Sequence, residues 1–177
     1  MVVLFGVVVI LFRIPYKYEQ PPLVANVIAD LSERIVFVEE RADEGKTLEI
    51  LLDHPPTYMA SILVDLGRDA VIISRGLQQH FAALKVEKVR FVVRRQSKGV
   101  ERLVLQDRMV AIEVDRELLM QQPFTDSYPF QTLLNLSSRL ILGTPEDEVV
   151  VRAFCADKVA AAAVVFCERH LAMTARK

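Results

Sequence analysis

Seven basic side chains fall between positions 85 and 102, namely Lys85, Lys88, Arg90, Arg94, Arg95, Lys98 and Arg102. Only Glu87 and Glu101 oppose them, a local excess of five positive charges in a chain whose formal net charge is -1. Arginine and lysine on a protruding two-stranded ribbon can follow a phosphate backbone, releasing counterions and making affinity salt-dependent. Residues 86–95 have an extended pattern and 96–99, Gln-Ser-Lys-Gly, read as a turn. Successive strand residues point to opposite faces, so Arg90, Val92 and Arg94 share one face, and Phe91, Val93 and Arg95 the other. A single basic stripe therefore requires a twist or bulge near Arg94-Arg95. The candidate nucleic-acid contacts are Arg90, Arg94, Arg95, Lys98 and Arg102. The chain has no tryptophan, and Phe91 is the one aromatic side chain in the segment, so base stacking has little support. The same charges would suit docking on an acidic protein, or a solvated edge strand that resists aggregation.

Other reactive residue types are dispersed. His54, His80 and His170 stand far apart, and none has a metal-ligand spacing with cysteine or carboxylate. His170 follows Cys167 by three positions, but nothing in the sequence supplies the third group that orients a Cys–His nucleophile pair. Asp30 and Asp65 lie near helix ends as solvated residues, and the acidic turn Glu39, Glu40, Asp43, Glu44 lacks the glycine spacing of a calcium loop. No glycine-rich phosphate loop is present, and Gly76 and Gly99 read as turn residues. No catalytic centre, metal or cofactor is expected. Cys155 and Cys167 lie twelve apart in one helical pattern, about 18 Å along a helix axis, too far for a bond. They are expected as buried thiols in a reducing compartment, cytoplasmic or an organellar matrix.

The elements that must position these residues alternate in type. With 177 residues, 52% of them hydrophobic, the chain can bury a sizeable core. The apolar run 1–12, rich in β-branched residues, is shorter than a membrane-spanning helix needs and reads as a buried strand, with a short membrane anchor as the alternative. Prolines at 21–22 open a helix, 35–39 and 47–52 form a hairpin of strands, and prolines at 55–56 open a second helix that ends at Gly67. A short buried strand follows at 70–74, then a helix over 77–85, the extended segment 86–95, and strands at 100–106 and 109–114. A linker at 121–129 leads to a helix over 130–142, a strand over 148–152 and a long alanine-rich helix over 155–173. The alanines at 160–163 would let another helix approach closely, within the domain or in an oligomer. The two proline-opened segments, 21–31 and 55–66, share Ala, Asp and Leu at corresponding places, which suggests a duplicated helix–strand unit.

The reading is an α/β sandwich of helix–strand units with mixed sheets. It divides into 1–46 (strand–helix–strand), 47–120 (a β-α-β-α-β-β unit with the basic hairpin) and 121–177 (helix–strand–helix). The order of elements in 47–117, and the segment Val71-Ile72-Ile73-Ser74-Arg75-Gly76-Leu77-Gln78-Gln79-His80-Phe81-Ala82-Ala83-Leu84, resembles the Alba superfamily and the related stage V sporulation protein S. The segment 128–173, centred on 148–154, resembles the same helix–strand–helix core. The resemblance implies a dimeric or pseudo-dimeric binder of DNA or RNA, whose hairpin positions here are Arg90, Arg94, Arg95, Lys98 and Arg102. The chain departs from it after the first strand, where Asp53-His54-Pro55 stands in place of the family's common lysines. The expected function is a non-catalytic nucleic-acid-binding subunit, RNA before DNA, of a ribonucleoprotein. The alternative is a structural subunit of a multiprotein complex. Homo- or hetero-oligomers are expected, with no membrane span.

Overall fold

The structure is a computed structural model that describes residues 24–42, 46–53, 58–94 and 108–174. Its centre is a five-stranded sheet in the order β1 (Ile35–Arg41), β2 (Thr47–Leu52), β3 (Lys88–Arg94), β4 (Arg108–Asp115), β5 (Arg139–Leu142). β1 and β2 are antiparallel, β2 and β3 parallel, and β4 runs antiparallel to both β3 and β5. The protein is thus an α/β sandwich built on a mixed sheet, with strands drawn from each of the three sequence segments. The six residues of β2 are all buried, with Leu48, Ile50 and Leu52 on one face and Thr47, Glu49 and Leu51 on the other, between neighbouring strands on both sides.

The helices are α1 (Val24–Ala29), α2 (Met59–His80), α3 (Arg116–Met120), α4 (Phe130–Leu136), α5 (Glu148–Ala156) and α6 (Val164–Thr174). Leu48, Ile50 and Leu52 of β2, Val89, Phe91 and Val93 of β3, and Val110, Ile112 and Val114 of β4 form one core with residues of α1, α2, α4, α5 and α6. Leu51, Val92 and Ala111 form a separate small cluster on the opposite face, with Ile141 beside them. Among the described residues no helix is long and apolar enough to cross a membrane.

Several elements differ from the sequence expectation. Residues 70–74 are not a strand. They continue α2, because Ala60, Leu63, Gly67, Ala70, Ser74 and Leu77 recur at spacings of three and four and all are buried. The β-branched Val71-Ile72-Ile73 run imitates a strand locally, but the longer period prevails. Gly67 and Gly76 accordingly lie inside the helix, where they admit neighbours. A Cβ on Gly67 would stand 2.8 Å from Phe130 Cδ2, and one on Gly76 2.6 Å from Leu31 Cδ2. The two proline-opened segments become unlike helices, α1 of six residues and α2 of 22.

In the C-terminal region the helix expected over 130–142 stops at Leu136. Ser137 turns extended, the Ser138 N–H donates to the Glu113 carbonyl, and residues 139–142 pair with the open edge of β4 as β5. Residues 148–152 are helical rather than extended. Thr144 and Asp147 form a capping box just before α5, and Val150, Val151 and Phe154 face the core at helical spacing.

The helix expected over 155–173 is broken, which corrects the reading of the cysteines. Asp157 is extended and its side chain accepts from the Val159 N–H, starting a 3-10 turn over Lys158–Ala162. Side chains of α4 then take the carbonyls that a continuous helix would use: Gln131 Nε2 donates to Val159 O, and Asn135 Nδ2 to Ala162 O. The chain reverses, Cys155 and Cys167 come to a Cα–Cα distance of 5.7 Å, and they form a disulfide. The 18 Å separation assumed an unbroken helix. With the thiols joined, cysteine usage no longer argues for a reducing compartment.

Candidate nucleic-acid interface

β3 carries the basic residues, and its alternation divides them from the core. Val89, Phe91 and Val93 face the helices, while Lys88, Arg90, Val92 and Arg94 take the other face. Strand register makes rows on that second face. Glu39, Glu49, Arg90, Glu113 and Arg139 stand level across all five strands, and the next row is Phe37, Leu51, Val92, Ala111 and Ile141. An ionic row thus lies beside an apolar one.

Arg90 is at the centre of the ionic row and only 4% exposed. Its Nε and Nη2 donate to Glu113 Oε2 at 3.1 and 2.6 Å, and its Nη1 to Glu49 Oε2 at 3.3 Å. Lys88 Nζ donates to Glu113 Oε1 at 2.9 Å, and Arg41 Nη1 to Glu49 Oε2 at 3.5 Å. Burial pushes the Glu113 carboxyl up, but the hydrogen bonds from Arg90 and Lys88, with their charges, outweigh it and hold the group below its ordinary range. Arg90 is therefore not a surface contact. Its neutralisation by two carboxylates of the same molecule corrects the expectation that it faces a polyanion.

The sequence carries a signal for this network that the charge count along the chain missed. Glu49 stands between Leu48 and Ile50, and Glu113 between Ile112 and Val114. A carboxylate inside an apolar strand, where it is buried, calls for a cation beside it. Arg90 between Val89 and Phe91 is the matching cation, and only the register across strands reveals the match.

Arg94 lies at the rim, where β3 ends. Its Nε donates to Asp53 Oδ1 at 3.1 Å, and the two side chains are 35% and 37% exposed. A register shift, or bulge, lies between Val93 and Arg94, and Arg94 is level with Arg108 at the start of β4. Residues 94 and 108, which flank the stretch holding Arg95, Lys98 and Arg102, thus lie at one rim of the sheet. Those three residues lie outside the described residues, as do the expected turn at 96–99, the expected strand at 100–106 and the N-terminal run 1–12.

At the opposite end of β3 and β4, an open cavity of about 630 Å³ is lined by Glu87, Lys88, Asp115, Arg116 and Glu117 among others. Its mixed charge does not single out an anionic ligand. His54 lies outside the described residues, and His80 is exposed at the end of α2. His170 is buried against Phe166, with Nε2 3.4 Å from Ser137 Oγ and no partner at Nδ1. Burial, and secondarily the charge of Arg169, pushes its pKa down to about 4, which makes it a neutral core residue. No group of three His, Cys, Asp or Glu side chains is arranged to hold a metal among the described residues. Comparison with protein-family models, with curated proteins and with solved structures finds no match.

Proposed function

We infer that the chain is a non-catalytic nucleic-acid-binding subunit, with RNA the first ligand to test, that contacts phosphates from the rim where β3 passes into β4. The contacts are Arg94, Arg95, Lys98 and Arg102. Arg90 serves instead to hold β2, β3 and β4 in register. The observation that carries this reading is the level pairing of Arg94 with Arg108. Residues 94 and 108, which flank the basic segment, therefore lie side by side where β3 ends and β4 begins. Titration of a labelled single-stranded RNA should give affinity that falls steeply with salt, and Arg95→Glu with Lys98→Glu should weaken it at least about tenfold. Absence of binding at low salt would defeat the reading.

A second reading, a structural subunit of a multiprotein complex, is favoured by the edge strand β1. Val36 and Phe37 there are 43% and 41% exposed, and an edge strand offers backbone groups to a partner strand. Polar substitution of both side chains should abolish copurification of a stoichiometric partner without changing RNA affinity.

A further inference from the structure

β2 and β3 are parallel, with Leu52 level with Val93, so the residues that follow, Asp53 and Arg94, emerge side by side. Asp53 is anchored from behind, its backbone N–H donating to the Arg34 carbonyl at 2.8 Å. Arg34 is itself held by Asp69 at 2.9 Å, so loss of the Asp53 charge leaves Arg34 with its own partner. The result is a carboxylate oxygen at the Arg94 Nε. Carboxylate and phosphate oxygens accept from a guanidinium in the same charge-assisted geometry. The pair is about one-third exposed, so a solute can reach it, and ion pairs with this exposure are weak enough to exchange.

We propose that Asp53 is an internal competitor for the polyanion, holding Arg94 in the free chain and yielding it to a phosphate in the bound one. This rests on the reading of the rim as a polyanion contact. Asp53 then sets both the affinity threshold and the salt response. A strand of high phosphate density displaces it, whereas isolated phosphate groups at the same concentration do not.

The test uses the full chain as wild type, Asp53→Asn, Arg94→Gln and the double variant. Binding of a labelled uridine-rich RNA of about 20 nucleotides is followed by anisotropy between about 50 and 200 mM salt. Asp53→Asn should bind about fivefold tighter, with the slope of log affinity on log salt steeper by at most about 0.7, because in the wild type the freed Asp53 carboxylate takes up a cation that offsets the one released from the phosphate. Arg94→Gln alone should change affinity less than about twofold, yet should remove the whole gain in the Asp53→Asn background, a coupling that a merely structural role would not produce. If the wild type binds and Asp53→Asn matches it in affinity and slope, the competitor role is overturned and the RNA reading stands. If none of the four binds at the lowest salt, both fall.

Discussion

Arg90 and Glu113 meet across β3 and β4 with two guanidinium nitrogens on one carboxylate oxygen, at 2.6 and 3.1 Å, and with 4% and 1% of their side chains exposed. Removal of the cation leaves the Glu49 and Glu113 carboxylates beneath the surface without it. Arg90→Met should therefore cost about 3–5 kcal/mol of stability, the usual result of breaking a buried pair from one side. Urea denaturation measures it. A loss below about 1 kcal/mol would mean that the network is solvated.

The same network shapes the acid limb of stability. Glu113 titrates below its ordinary value of 4.5 in the folded chain. A carboxylate depressed on folding stabilises fully above its unfolded pKa, and that contribution drains as pH falls through the folded one. Wild type should accordingly lose stability below about pH 4.5 more steeply than Glu113→Gln.

His170 acts in a higher window. Its folded pKa of about 4 lies below the ordinary 6.5, so the unfolded chain binds the proton first. Its contribution is complete above pH 6.5 and falls as pH drops towards 4, by about 3 kcal/mol over the window. His170→Phe should flatten this limb in denaturation series between those pH values. An unchanged limb would assign the loss to other groups.

The Cys155–Cys167 disulfide closes a short loop around the 3-10 turn. Loop-closure entropy for such a span is about 3 kcal/mol, so Cys155→Ser with Cys167→Ser, or reduction, should lower stability by about that amount. Intact mass before and after alkylation under non-reducing conditions checks the bond itself, and full alkylation of the native chain would refute it.

Gly67→Ala adds a methyl group 2.8 Å from Phe130 Cδ2 and 3.3 Å from its Cβ, where α4 crosses α2. Helix propensity favours alanine by about 1 kcal/mol, but crowding against a ring that is 8% exposed costs more. A net loss of about 1–2 kcal/mol is expected by thermal denaturation. Phe130→Leu in the same background should recover part of it.

Local pattern alone determined a good part of this protein. The α/β class was legible, as were β2 over 47–52, most of β1, and the extended segments that became β3 and β4, because period-two alternation and turn residues are properties of neighbours in the chain. The concentration of basic charge in 85–102 was legible for the same reason. Tertiary structure decided what depended on distant residues. The β-branched run at 71–73 became helix because its buried stripe continues on both sides, and 139–142 became a strand because β4 offered an edge. The cysteines met because Gln131 and Asn135 took carbonyls that a straight helix would have used. Arg90 passed from surface contact to buried partner because Glu49 and Glu113, 41 and 23 residues away, share its register. A linear sequence shows which charges exist, but only strand pairing fixes which of them neutralise one another.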